Sequence, residues 1–176
     1  MKLIILDRDG VINEEKNEYI LSPEDWTPIP GSLEAISKAK NLGFYIVVIS
    51  NQSAIGRKRI SVESLNLINR KMQFALSKLG GAVDIFLFCP HAPTDDCNCR
   101  KPKATLLQDF KERMGLNLTG VPFVGDRITD VETAEKAGAF PVLVNSGKLV
   151  VQPPEGVPIF ENLAEALENI VFERWK

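Results

Sequence analysis

Four aliphatic residues in a row, Leu3-Ile4-Ile5-Leu6, run straight into Asp7-Arg8-Asp9-Gly10-Val11, and this junction limits the fold more than any other stretch. An apolar run without alternation suits a strand covered on both faces, as in a parallel sheet flanked by helices. In open sheets of that kind, ligands sit beyond the carboxyl ends of the strands. Asp7 and Asp9 fall at that edge, and Gly10 lets the backbone turn away from it.

The pattern then repeats. Residues 12–30 are polar and carry Pro23, Pro28 and Pro30, which predicts a loop beside the site. Ser32 is the expected cap of a helix reaching about Leu42, with Leu33, Ile36 and Ala39 on one face. A second buried strand, Phe44 to Ile49, ends at Ser50-Asn51-Gln52. Ser61 is placed to cap a helix to about Leu79, and Val83 to Phe88 reads as a third strand. Pro102 suits the first turn of a helix that carries Leu106, Leu107, Phe110 and Met114 and stops near Gly115. Strand Val121 to Val124 leads to Gly125-Asp126, followed by a helix from about Thr129 to Ala137, a strand from Phe140 to Val144 and a helix near Leu163 to Val171. Alternating strands and helices predict a doubly wound, Rossmann-like α/β fold, in which right-handed crossovers gather the strand ends on one edge. One domain is expected over residues 1–176.

A formal net charge of -2 gives no overall basic field, so neither nucleic acid nor an anionic membrane is a favoured partner. No apolar run approaches the ~20 residues that span a bilayer. With a strand starting by Leu3, no signal peptide is expected and the location expected is cytoplasmic. The three cysteines all lie between Cys89 and Cys99, an odd number packed too closely for a disulfide framework.

Asp7, Asp9, Ser50 and Asp126 fall at or just past strand ends, and Lys101 falls just before a helix. They should converge on one crevice. Such a set can transfer phosphoryl groups from a monoester: one carboxylate attacks phosphorus, and a second protonates the leaving oxygen and later deprotonates water. A divalent cation on hard oxygen ligands, with Lys101 and the Ser50 hydroxyl, can neutralise the remaining oxygens, and Mg2+ suits such a site.

These residues resemble the four motifs of the haloacid dehalogenase superfamily of phosphotransferases: Asp7-Arg8-Asp9-Gly10-Val11, Ser50, Lys101 and Gly125-Asp126-Arg127-Ile128-Thr129-Asp130, in order. The resemblance implies Asp7 as nucleophile and Asp9 as general acid/base. It also implies Mg2+ on the Asp7 carboxylate, the Asp9 carbonyl and Asp126, with Asp130 behind or through water. Val11 departs from the threonine that many members carry.

Cys89-Pro90-His91 and Cys97-Asn98-Cys99 supply three thiolates and an imidazole, a ligand set for tetrahedral Zn2+ with no position left for a catalytic water. A zinc loop over residues 89–99 should pin the segment that delivers Arg100 and Lys101. This loop resembles that of two subgroups, the D-glycero-D-manno-heptose 1,7-bisphosphate 7-phosphatases and the histidinol-phosphatases. Asn51-Gln52-Ser53 with Ile55 and Arg57, Pro30-Gly31-Ser32, and Ser146-Gly147-Lys148 resemble the heptose enzymes, while Ala54, Lys58 and Arg127 depart from them. The heptose resemblance implies removal of the C7 phosphate in heptose supply for lipopolysaccharide or surface polysaccharide. A bisphosphate needs a second basic anchor. The expected substrate contacts are Asn51, Gln52, Arg57, Arg100 and Arg127, with Lys58 and Arg59 solvated. Histidinol phosphate is the alternative, and Glu14, Glu15 and Glu18 could meet its cationic amine. The small insertions imply no large cap domain, and a monomer is expected.

Two other classes fit less well. A phosphorylated receiver domain needs its acceptor Asp after the third strand, where this chain has Cys89, and no P-loop is present. A zinc-dependent interaction protein is opposed by the presence of every catalytic side chain.

Overall fold

The computed structural model describes residues 1–16, 18–147 and 153–172, so Lys148 lies outside the described residues. β1 (Leu3–Leu6) is central, paired with β2 (Tyr45–Asn51) on one side and β4 (Pro122–Gly125) on the other. β3 (Ile85–Cys89) lies outside β2, and β5 (Phe140–Val144) and β6 (Ile159–Phe160) lie outside β4. The order is β3-β2-β1-β4-β5-β6, and every pairing is parallel.

Strand alternation divides the first apolar run between two cores. Ile4 and Leu6 pack with α1 (Ser32–Asn41), α3 (Val62–Ser77) and α6 (Leu163–Leu167), through Ile36, Ile68, Met72, Leu76 and Leu163. Leu3 and Ile5 pack on the opposite face with α4 (Thr105–Met114) and α5 (Ile128–Ala137), through Leu107, Phe110 and Ala134. None of the four is more than 5% exposed, so both faces of β1 are dry. At about 25 cal/mol per Å² of apolar area, that burial is what holds the central strand in place.

Several local expectations need correction. Ser32 is the first residue of α1, with Gly31 at the cap position; the Ser32 hydroxyl instead donates to the Ile12 carbonyl at 2.7 Å and ties down the loop after β1. Ser61 does cap α3, accepting from the Ser64 N–H at 3.2 Å. Pro102 is not in a helical turn, because α4 begins at Thr105. The short helix α2 (Ser53–Gly56) and strand β6 carry too few residues to show a periodicity. Between β1 and α1 the described residues form a loop with one 3-10 turn, Pro23–Asp25, and no cap domain.

Candidate active site

The carboxyl edge of the sheet brings the motif residues together. Asp7 directly follows β1, and its N–H bonds to the Val124 carbonyl at 2.9 Å. Asp126 directly follows β4, Ser50 lies near the end of β2, and Asp130 lies in the first turn of α5. Lys101 comes in from the long segment after β3, only 4% exposed. Its ammonium meets Asp7 Oδ2 at 2.9 Å and Asp130 Oδ1 at 2.6 Å, and it donates to the Ile49 carbonyl at 3.1 Å. Asp130 Oδ2 also accepts from the Arg127 N–H at 3.1 Å, at the start of α5.

Asp7, Asp126 and Asp130 are all buried, and their carboxylate oxygens lie within 4.8 Å of one another. Three buried carboxylates face the buried Lys101 and the half-exposed Arg127, whose Nε lies 3.8 Å from Asp126 Oδ1, so negative charge is in excess in a low-dielectric setting. Burial pushes Asp7 up to about 7, since Lys101 opposes the rise only in part and Asp130 and Asp126 add to it. Burial would lower Lys101, yet Asp130 and Asp7 hold it above its ordinary value. The donor set therefore fits a small hard dication such as Mg2+. Gly10 and Gly125 leave room for the Asp126 and Asp130 side chains. A Cβ at Gly10, whose φ is +82°, would stand 2.3 Å from Asp126 Oδ2, and one at Gly125 would stand 2.2 Å from Asp130 Cβ.

Asp9 faces the same cleft in a different electrostatic setting. Its Oδ1 accepts from Arg8 Nε at 3.0 Å and Asn13 Nδ2 at 3.0 Å, and its Oδ2 accepts from Gln52 Nε2 at 3.0 Å. Arg8 Nη2 reaches both oxygens at 2.9 Å. Burial works against the charged form, but Arg8 and these hydrogen bonds outweigh it and hold Asp9 below the usual carboxylate range. Two neighbouring aspartates are thus pushed in opposite directions, in the sense opposite to that of a nucleophile and a general acid; a dication beside Asp7 would favour its carboxylate form, and phosphate charge beside Asp9 its protonated form.

The cleft has a volume of about 390 Å³, within the range of small-molecule sites. Asp7, Asp9, Ser50, Asn51, Gln52, Arg100, Lys101 and Arg127 all line it. Asn51 and Gln52 are already engaged by the protein. The Asn51 side chain accepts from the Lys101 N–H at 3.0 Å and donates to its carbonyl at 3.2 Å. Gln52 also donates to Ser50 Oγ at 2.9 Å.

Arg57 is exposed at the end of α2 and does not line the cleft. Arg59, expected to be solvated, is exposed, and it also sits 5.7 Å from the centre of the Tyr19 ring and 3.8 Å from Glu18. Glu15, Lys16 and Tyr19 line the cleft and had not been singled out as contacts for a bisphosphate. Glu15 pairs with Arg127 across its mouth. No motif marks these loop residues; the polar composition after β1 was the sole hint.

Beside the cleft, ligand atoms of Cys89, His91, Cys97 and Cys99 lie within 4.8 Å of one another. Cys89 Sγ is 3.6 Å from Cys97 Sγ and 3.1 Å from Cys99 Sγ, and His91 Nδ1 is 3.1 Å from Cys99 Sγ. Tetrahedral Zn2+ with Zn–S near 2.3 Å requires S···S separations of about 3.8 Å, so small shifts complete the site. Burial pushes the Cys89 thiol up to about 12, whereas hydrogen bonds from Cys89 and Cys99 overcome burial and bring Cys97 down to about 7. A metal here would displace protons as it binds. The loop is stitched to α2 and its approach by Gln52 N–H to the Cys89 carbonyl at 2.8 Å and Gly56 N–H to the Pro90 carbonyl at 2.7 Å.

A family profile described as HAD-hyrolase-like matches residues 98–166. The chain is 42% identical over 178 residues to D-glycero-beta-D-manno-heptose-1,7-bisphosphate 7-phosphatase of Bordetella bronchiseptica, covering 98% of this chain and 99% of that protein. It is 42% identical over 166 residues to the protein of the same name from Pseudomonas aeruginosa, covering 92% and 93%. The crystal structure of D,D-heptose 1,7-bisphosphate phosphatase from B. bronchiseptica, complexed with magnesium and phosphate, superposes with a TM-score of 0.94 over 98% of this chain and 99% of that one. With the motif residues gathered at one sheet edge and identity extending over nearly the whole chain, this protein belongs to the haloacid dehalogenase-like heptose 1,7-bisphosphate 7-phosphatase family.

Proposed function

We propose that the chain hydrolyses the C7 phosphate of D-glycero-β-D-manno-heptose 1,7-bisphosphate, in the supply of heptose for lipopolysaccharide or surface polysaccharide. The observation that carries the chemistry is the buried Asp7–Lys101–Asp130 cluster, with Asp126 beside it and Asp9 on the same cleft. Asp7 attacks phosphorus, the bond from phosphorus to the C7 oxygen breaks, and that oxygen takes a proton from the Asp9 carboxyl. Water then attacks the aspartyl-phosphate and gives a proton to the Asp9 carboxylate, releasing phosphate and restoring Asp7. Lys101 and Ser50 hold the non-bridging oxygens. Asp7, Asp126 and the Asp9 carbonyl, with Asp130 behind, would hold Mg2+, which would neutralise phosphate charge there.

The distal phosphate meets Arg100 and Arg127, both on the cleft wall. Zn2+ on Cys89, His91, Cys97 and Cys99 serves a structural role in the loop that carries Arg100 and Lys101. The protein works as a cytoplasmic monomer in this reading; among the described residues, no helix is long and apolar enough to cross a membrane. Histidinol phosphate is not favoured: Glu15 on the cleft is paired with Arg127, and Glu18, which does not line the cleft, lies 3.8 Å from Arg59.

The test is phosphate release with Mg2+ from both anomers of the heptose bisphosphate and from histidinol phosphate, with Asp7→Asn as the blank. The β anomer should have the highest kcat/KM. A preference for histidinol phosphate overturns the substrate assignment, and no release from any of the three overturns the phosphatase assignment.

A further inference from the structure

Arg8 lies between the nucleophile and the proton-transfer residue in sequence, and its guanidinium is nevertheless buried, with the side chain 3% exposed. It grips Asp9 through Nε at 3.0 Å and through Nη2 at 2.9 Å, while Nη1 leans on Asn69 Oδ1 of α3 at 3.5 Å. Asn13 and Gln52 hold the carboxylate from two further directions, each at 3.0 Å. The Asp9 side chain keeps 27% exposure, and the cavity it lines is the cleft. Asp9 is therefore backed by a buried cation and flanked by two amides, with its remaining accessible surface left for the substrate. The Arg8 backbone adds to this, since its carbonyl accepts from the N–H groups of Val11, Ile12 and Asn13 and fixes the turn that carries Asp9.

From this geometry we infer that Arg8 is a positioning residue for leaving-group protonation: its guanidinium fixes the Asp9 carboxyl at the place where the departing oxygen receives its proton. A general acid acts only within hydrogen-bond reach of the oxygen it serves, about 2.6–3.2 Å. An aspartate without this grip would sample several rotamers and spend little time at that place. Arg8 works through Asp9 and takes no part in attack at phosphorus, in which Asp7 and Lys101 act. The inference rests on the proton-transfer role proposed for Asp9.

Leaving-group dependence separates the two roles. The sugar C7 alkoxide is a poor leaving group and needs a proton, whereas p-nitrophenolate leaves with little help. The quantity to read is the ratio of kcat/KM for heptose 1,7-bisphosphate to kcat/KM for p-nitrophenyl phosphate, in the Mg2+-loaded full chain. Arg8→Met should lower this ratio by about 30-fold or more, a part of the ~10²–10⁴-fold lost when general acid catalysis is removed outright. Arg8→Lys keeps the buried charge, loses the two-pronged grip, and should give an intermediate fall. In Asp9→Asn the ratio should fall at least as far, and adding Arg8→Met to it should lower the ratio no further.

Removing the Arg8 charge by itself favours the protonated acid, so a fall in the ratio reads placement, and a rise overturns the inference. Equal losses on both substrates in the lysine variant also overturn it, since they mark a general structural role. If Asp9→Asn collapses the ratio and neither Arg8 variant moves it, the inference fails and the proposed mechanism stands. If Asp9→Asn leaves the ratio unchanged, the proton-transfer role fails and this inference falls with it.

Discussion

Asn51 and the backbone of Lys101 clasp each other in both directions: the amide oxygen accepts from the Lys101 N–H at 3.0 Å and the amide nitrogen donates to the Lys101 carbonyl at 3.2 Å. The end of β2 thereby holds the lysine that contacts Asp7 and Asp130. Asn51→Ala should lower kcat by about tenfold or more, a fraction of the ~10²–10³ lost when a charge-stabilising donor is removed outright. Steady-state phosphate release checks this. A rise in KM at constant kcat would instead make Asn51 a substrate contact.

Arg127 lines the cleft and Arg57 does not. The charge-removing change Arg127→Gln should raise KM for the bisphosphate by about tenfold or more, the order of one charge-assisted hydrogen bond. Arg57→Gln should change it by less than about threefold, as for an exposed side chain. The reverse ranking, measured on the same substrate, would return the distal anchor to α2.

The pH dependence of metal stabilisation follows from Asp7. Burial raises its folded-state value to about 7, above its ordinary value of 3.8, so the folded protein holds the extra proton. For such a group the contribution to stability is full below the unfolded value and is lost as pH rises through the folded one. Mg2+ needs the carboxylate form, so it should raise Tm more at about pH 8 than at about pH 5.5. Thermal melts with and without Mg2+ measure the difference, and Asp7→Asn should flatten it. Equal Tm gains at both pH values in the parent protein count against Asp7 as a ligand.

Gly10→Ala places a methyl group within 2.3 Å of Asp126 Oδ2 and requires φ near +82° from alanine. The backbone cost alone is about 1–2 kcal/mol. The larger expected effect is on metal use: the Mg2+ concentration for half-maximal activity should rise by about tenfold or more, because Asp126 must move. Unchanged Mg2+ dependence with a lowered Tm would confine the effect to folding.

Cys97→Ser removes a thiolate from the four-residue cluster. The zinc content by elemental analysis should fall from about one equivalent to well below it, and kcat should fall with it as the Lys101 segment loosens. Parent-level zinc in the variant would remove Cys97 from the ligand set.

Much of this architecture was legible because its causes are local. The unbroken run Leu3 to Leu6 could only suit a strand buried on both sides, and the polar residues that end β1, β2 and β4 had to meet once the strands ran parallel. The clustering of Cys89, His91, Cys97 and Cys99 followed from their spacing along one loop. What escaped depends on contacts between distant segments. Glu15 meets Arg127 and Arg59 meets Tyr19 across intervals that no periodicity spans. Asn51 and Gln52 read as substrate contacts through the resemblance to the heptose enzymes, and both line the cleft; that their amides are also engaged by Lys101 and Asp9 only the folded geometry reveals. Pro102 read as a helix start by type, but two residues, Lys103 and Ala104, separate it from α4.

Cys89 closes β3, and β3 is an outermost strand of the sheet. The thiol cluster therefore guards a flank as well as a loop. Stripping the proposed zinc in a chelating buffer would free three clustered thiols for oxidation and loosen the end of a strand that, among the described residues, has no sheet partner on its outer side. The first sign of such damage should be turbidity and mixed-disulfide dimers rather than a gradual decline in turnover, which makes the ion a determinant of colloidal behaviour.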